Sequence, residues 1–237
     1  MLKLSDKEFL IEDRYYGGNQ KWLSMQYFPE AACGPTTAAN IFSYMIRTRP
    51  AWAAALENRA GLHSDSLKTK SGYTKFLIKV LDFVHFKMIE LGTGAYSFEA
   101  GAKRFAKSIG LPLQTKRLKI AMYRNKRPAA EEIRTLIMVA IKDNTPVAFL
   151  NLAPFAFVRP AGAPIKDAIK EVEVADPHKK YGKVTLYKWH WVTVIGIDPE
   201  KELYLRILDN NSIYWADLSR WLADKKNSGS FVRLTPE

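Results

Sequence analysis

The chain has 237 residues, of which 47% are hydrophobic, and its formal net charge is +12. That hydrophobic fraction is enough for a large buried core, whereas the longest apolar runs, at 147–150 and 191–195, fall far short of the roughly 20 residues that cross a bilayer. The composition therefore excludes a largely disordered chain and a membrane-spanning helix.

Four helices are predicted in the first part of the chain, where apolar residues recur at helical spacing. The first begins at Cys33 or Gly34, has Pro35 in its first turn, where proline is tolerated, and stops before Pro50. The other three are predicted at 73–86, 97–109 and 129–142. The segment from about residue 15 to residue 142 is therefore expected to form a helical part.

From residue 147 the pattern changes to short runs rich in β-branched and aromatic residues, which indicate strands. Strands are predicted at 147–152, 189–197, 203–208, 213–215 and 230–234. Asp217 is expected to cap a short helix through Leu222. The segment 154–183 is rich in proline, glycine and lysine, which is typical of a long surface excursion.

These elements predict an α+β fold in one domain, residues 1–237. The helical part would pack on a strand-rich part of about 146–237, built on an antiparallel sheet. The groove between the two parts would hold the substrate.

Cys33 is the single cysteine of the sequence, so no disulfide can form within the chain. Its thiol is either a small buried hydrophobe or a group placed for chemistry. Cysteine hydrolases need a thiolate, which the unpaired N–H groups and the dipole of a helix N-terminus stabilise beside a histidine. Because Cys33 opens an apolar helix, we predict that it is a nucleophile.

His190 stands at the start of a predicted strand, between Trp189 and Trp191. It is either a core histidine or a base that reaches the helix terminus across a cleft, and we predict the base. Asp209 follows across one predicted hairpin, and we expect its carboxylate to accept the His190 Nδ1–H and fix the tautomer. Asn210 could fill the same role through its amide.

Three segments of the chain carry a family pattern. They read Ala-Cys-Gly-Pro-Thr-Thr-Ala-Ala-Asn at 32–40, His-Trp-Val-Thr-Val-Ile-Gly-Ile-Asp at 190–198 and Leu-Asp-Asn-Asn at 208–211. Together they resemble the bacteriocin leader-processing, or double-glycine, branch of the papain-like cysteine peptidases. The resemblance implies a papain-like fold and a bacterial thiol peptidase with Cys33, His190 and Asp209 as its catalytic triad.

The resemblance also implies a glutamine that helps to hold the oxyanion. Gln26 lies seven positions before Cys33. Its side-chain amide and the Cys33 N–H would converge on the developing negative charge. Gln20 fits the family spacing less well.

The function predicted from these residues is a cysteine hydrolase that cleaves peptide bonds of a peptide or protein substrate through an acyl-enzyme. Two alternatives stay open at this point. One is an acyl transferase or a deamidase that uses the same triad. The other is a papain-like binding module that does not catalyse a reaction.

The sequence also carries some information on cofactors, partners and localisation. We expect no cofactor and no metal, since the sequence has no Walker loop, no dinucleotide fingerprint and no pair of zinc-binding cysteines. Basic clusters at 116–126 and 179–183 suit an anionic partner, but without a base-reading motif we expect weak, salt-dependent binding and no specific nucleic acid. Residues 1–14 lack the features of a secretory signal, which predicts a cytoplasmic protein, or a secreted one if a leader was removed.

Overall fold

A computed structural model describes residues 2–85, 92–122, 127–153, 189–198 and 203–237, and the backbone of 155–158 and 185–187. Its α-helices are α1 (Cys33–Thr48), α2 (Pro50–Ala60), α3 (Lys70–Leu81), α4 (Ala95–Ser108), α5 (Ala130–Lys142) and α6 (Leu218–Ala223). Its strands are β1 (Leu2–Lys3), β2 (Leu10–Ile11), β3 (Tyr15–Tyr16), β4 (Leu113–Ile120), β5 (Val147–Asn151), β6 (Phe155–Val158), β7 (Thr185–Tyr187), β8 (His190–Asp198), β9 (Tyr204–Asp209), β10 (Ser212–Asp217) and β11 (Gly229–Pro236). Among the helices of these ranges, none has the length and apolar character to cross a membrane.

Nine strands form one antiparallel sheet in the order β4, β11, β5, β8, β9, β10, β6, β7, with β1 as the ninth strand beside β8. β8 pairs with β5 from His190 to Val194, and further along it pairs with β1 at Gly196 and Ile197. Strands β2 and β3 form a separate small hairpin. The predicted α+β class is confirmed, since helices pack on a sheet whose strands run antiparallel.

The sheet lies between two hydrophobic cores, as the alternation along β5 shows. Val147 and Phe149 belong to the core that contains α5, whereas Ala148 and Leu150 belong to the core that contains α1, α3 and α4. Successive side chains of a strand point to opposite faces, so a short run of apolar residues serves both layers. This explains why β5 and β8 are mostly apolar and buried along almost their whole length, as strands in the middle of a covered sheet are.

The predicted elements match the structure at most positions. The four predicted helices correspond to α1, α3, α4 and α5, and the five predicted strands correspond to β5, β8, β9, β10 and β11. Asp217 caps α6 as predicted, because its carboxylate accepts the Arg220 N–H at 2.9 Å. Of the predicted excursion, 155–158 is a strand, and 159–183 lie outside the described residues.

Two of the longer elements of the first part of the chain, α2 and β4, were not predicted. Pro50 ends α1 but also occupies the first turn of α2, a position that proline favours. The second, β4, lies inside the segment that was predicted to be helical, which is a correction to the boundary between the two parts. β4 is an edge strand with exposed Lys116, Arg117 and Lys119, and such charges on a sheet edge hide its apolar alternation.

A buried ion pair attaches the N-terminal segment to the sheet. Asp6 pairs with Arg206 of β9, and their side chains are only 9% and 2% exposed. The Leu4 N–H also donates to the Ile195 carbonyl at 2.9 Å. Arg206 lies three residues before Asp209 on the same strand, so this contact supports the strand that ends at Asp209.

We expect Asp6→Ala to lower the free energy of unfolding by about 3–5 kcal/mol, because it leaves the Arg206 guanidinium buried without its partner. Urea unfolding of the variant and the parent measures the change. Asp65→Ala is the matched control, since it removes an exposed carboxylate that pairs with Lys68 at the surface. An equal loss of stability in both variants would contradict the expectation that the buried ion pair contributes more than the exposed one.

Candidate active site

The candidate nucleophile, Cys33, is the first residue of α1 and is 7% exposed. The residue before it, Ala32, makes no side-chain cap to the helix. The first N–H groups of an α-helix, including that of Cys33, have no acceptor within the helix. The sulfur therefore lies at the positive end of the α1 dipole, beside backbone donors.

Gly34 allows the segment before α4 to lie against the start of α1. A Cβ at Gly34 would come within 2.6 Å of the Thr93 side chain, so only glycine fits there without a shift of that segment. The Thr93 carbonyl in turn accepts the indole N–H of Trp191 at 2.6 Å. Because Trp191 follows His190, this contact joins the start of α1 to the start of β8.

His190 and Asp209 meet at one end of the sheet. His190 begins β8 and Asp209 ends β9, and these strands are antiparallel neighbours, so the two residues lie at the same end. The His190 Nε2 and the Asp209 Oδ1 are 2.8 Å apart, and the side chains are 9% and 6% exposed. Trp189, just before His190, is 64% exposed, whereas Trp191 is buried.

The ring nitrogen that contacts Asp209 differs from the prediction. Asp209 was expected to accept from Nδ1, but it contacts Nε2, the nitrogen farther from the backbone. His190 also forms a hydrogen bond with the Cys33 side chain. The imidazole therefore interacts with both residues, and it contacts Asp209 through Nε2.

The surroundings of His190 raise its pKa from 6.5 to about 10. Burial is the largest single influence and acts to lower the pKa. The charge and the hydrogen bond of Asp209, followed by the hydrogen bond and the charge of Cys33, act in the opposite direction and outweigh burial. These influences together favour the protonated form of the imidazole beside Cys33.

Asn210 contacts Asp209 rather than His190. Its Nδ2 donates to the Asp209 Oδ2 at 3.1 Å, so the two carboxylate oxygens have different partners. Of the two residues that the sequence offered as the third member, Asp209 makes the contact with His190. Asn210 contacts the carboxylate oxygen that His190 does not contact.

Gln26, the predicted oxyanion residue, is not among the residues that line the cavity of Cys33. Gln26 is exposed in a 3-10 turn, Met25–Tyr27. Gln20 is 8% exposed and lines the same small cavity as Cys33 and Asp209. The reason is that 3-10 turns fold the chain between Gln20 and Cys33, so that separation along the sequence does not measure separation in space.

Sequence reasoning missed further polar residues of this cavity, among them Thr36 and Asn40. Thr36 lies one turn after Cys33 and is 6% exposed, and its Oγ1 has no hydrogen-bond partner within the described residues. The volume open to the centre of a water molecule in this cavity is about 10 Å³, which is about the smallest volume that holds one water. A polar residue inside an otherwise apolar helix was the signal that could have identified both.

The remaining histidines have other surroundings. His63 pairs with Glu57 at the surface, and the His85 Nδ1 lies 2.8 Å from the Leu81 carbonyl. His178 lies outside the described residues. Within the parts of the chain that the structure describes, no three His, Cys, Asp or Glu side chains are grouped so that they could hold a metal ion.

The chain matches no protein-family model and no curated protein.

The rate at which iodoacetamide alkylates Cys33 should depend on Asp209 at mildly acidic pH. Removing the carboxylate in Asp209→Ala lowers the pKa of His190 and weakens the pairing of thiolate with imidazolium. Alkylation at acidic pH should then slow by about tenfold for each unit by which the substitution raises the pKa of the thiol. The rates of variant and parent should converge at alkaline pH, where the thiol is ionised in both. Asp209→Asn should be intermediate, since an amide oxygen can still accept the Nε2–H.

Asn210→Ala is the control for this measurement, because it leaves the bond between His190 and Asp209 in place. Mass spectrometry identifies the alkylated residue, and Cys33→Ser should remove the label. A parent protein that reacts only at alkaline pH, or an Asp209→Ala variant with an unchanged profile, would contradict the pairing.

Proposed function

We propose that this chain is a papain-like cysteine hydrolase that cleaves peptide bonds, with Cys33 as nucleophile. One observation carries the proposal. The buried His190 forms hydrogen bonds with both Asp209 and Cys33, and Cys33 stands at the N-terminus of a helix. In cysteine hydrolases a histidine activates the thiol as a thiolate, and a carboxylate orients that histidine. Cys33, His190 and Asp209 are arranged in that order.

In the first half of the reaction the Cys33 thiolate attacks the carbonyl carbon of the scissile bond, and the carbonyl oxygen becomes an oxyanion. The imidazolium of His190 then gives its Nδ1 proton to the leaving amine. The bond from carbon to nitrogen breaks, the amine departs, and a thioester with Cys33 remains.

In the second half a water molecule attacks the thioester, and the neutral imidazole of His190 accepts a proton from that water at Nδ1. Collapse of the tetrahedral intermediate releases the carboxylic acid product and restores the thiolate. Throughout, Asp209 accepts the Nε2–H, which fixes the ring orientation and stabilises the imidazolium.

The oxyanion needs donors that are already in place. The Cys33 N–H, at the first position of α1, supplies one, and the side-chain amide of Gln20, which lines the same cavity, supplies the second. This assigns to Gln20 the role that sequence spacing gave to Gln26.

We expect Cys33→Ala to abolish peptide hydrolysis with little change in Tm, since it removes one sulfur atom at a cleft and leaves the core intact. The assay follows cleavage of a peptide library by mass spectrometry. It also compares water with an added amine as acceptor of the acyl group, which separates hydrolysis from acyl transfer. Cleavage by the alanine variant at the parental rate would refute the mechanism.

Gln20→Ala should lower kcat by about 10²-fold or more, the usual effect of losing one oxyanion donor, with a smaller change in KM. Gln26→Ala is a matched control, because it removes the same side chain from an exposed turn close by in the sequence. We expect it to retain the parental kcat. The opposite result would return the oxyanion role to Gln26.

A further inference from the structure

Asn40 is a buried amide on the nucleophile helix. It lies two turns after Cys33, which places both residues on the same side of α1. It is 3% exposed and lines the cavity that also contains Cys33 and Gln20. Because a buried amide costs free energy unless it is hydrogen-bonded, its partners indicate what it does.

The partners of Asn40 come from three other parts of the fold. Its Oδ1 accepts the Gly18 N–H at 2.8 Å and the Tyr73 hydroxyl at 2.6 Å, and Tyr73 belongs to α3. Its Nδ2 is 3.4 Å from the Thr193 Oγ1 on β8. One amide therefore joins α1 to α3, to β8 and to the segment that leads to Gln20.

Gly18 is held from a second direction by the turn that follows Asp209. Its carbonyl accepts the Asn211 N–H at 3.2 Å, and the Asn19 Nδ2 donates to the Asn211 Oδ1 at 3.1 Å. The backbone of Gly18 is thus fixed between α1 and this turn. Gln20 follows two residues later.

The close approach of the 17–20 segment to Asn40 and Tyr73 depends on two glycines. Gly17 has a φ of +69°, and a Cβ there would come within 2.7 Å of the Asn40 Oδ1. A Cβ at Gly18 would come within 2.1 Å of the Tyr73 ring. These contacts place the 17–20 segment against Asn40 with no room for a side chain between them.

We propose that Asn40 is a positioning residue, which fixes Gly18 so that the Gln20 amide is held beside Cys33. The inference rests on the proposed hydrolase function, because it concerns the geometry of the oxyanion donors. The hydrogen bonds of Asn40 go to Gly18, Tyr73 and Thr193 rather than to Cys33 or His190. It acts through Gly18 and the segment that follows.

The central variant is the double change Asn40→Ala with Tyr73→Phe, which removes the acceptor and leaves no Tyr73 hydroxyl unpaired. Tyr73→Phe alone is the matched control, because it keeps the bond from Gly18 to Asn40. We expect the double variant to lose about 10²-fold in kcat, as Gln20→Ala does, while the control stays within a few-fold of the parent. Adding Gln20→Ala to the double variant should cost little more, since both changes remove the same donor.

Two further readouts separate positioning from a general loss of structure. Alkylation of Cys33 by iodoacetamide forms no oxyanion, so its rate should stay parental in the double variant. Amide hydrogen exchange of Gly18, Asn19 and Gln20 should speed up relative to Tyr73→Phe. If the double variant fails to fold, Gly18→Ala displaces the same segment through the Tyr73 ring and should reproduce the loss of kcat with normal alkylation.

Several results would overturn the inference. Additive losses on combination with Gln20→Ala would mean that Asn40 acts elsewhere, and slowed alkylation would mean that it acts on the Cys33 and His190 pair. Unchanged hydrogen exchange would mean that Asn40 does not fix the segment. A parent protein without turnover would defeat the proposed function instead, because hydrogen exchange would still test the effect of Asn40 on Gly18.

Discussion

The contact between His190 and Asp209 is the constraint on which the site depends. Both side chains are buried, and burial by itself disfavours a charge on His190. The carboxylate opposes that effect and raises the pKa of His190, which favours the imidazolium next to Cys33. A buried charge without its partner is costly, and the contact therefore has to be maintained by the fold around it. The two strands that meet there, β8 and β9, are central to the sheet, and β8 also carries the contacts with β1, β5 and α1.

The irregular parts of the chain supply the groups that surround this contact. Cys33 lies where 3-10 turns end and α1 begins, and Asp209 precedes a tight turn in which Asn210 and Asn211 both have positive φ. Asparagine tolerates that backbone conformation better than most residues, which allows β9 and β10 to be joined by so short a connection. Asn210 then returns to the Asp209 carboxylate, and Asn211 holds Gly18. The same turn therefore serves both the triad and the segment with Gln20.

The sequence was sufficient to predict the elements that carry Cys33, His190 and Asp209, because a helix with a proline in its first turn and two apolar strands have strong local patterns. It was insufficient where local pattern and tertiary contact disagree. β4 is polar enough to conceal its pairing with β11, and the 3-10 turns before α1 made Gln26 look closer to Cys33 than Gln20. The choice between Nδ1 and Nε2 depends on ring orientation, which residue order does not encode.

Asn40 marks the limit of such reasoning, because a single amide in an apolar helix has no local pattern that reveals its partners. Its contacts connect residues that are 22, 33 and 153 positions away along the chain. A buried polar network of this kind is stable when each member is bonded and costly when one is lost. Because the network is buried, its hydrogen bonds are stronger than they would be at the surface, so the same contacts order the candidate site and stabilise the surrounding core.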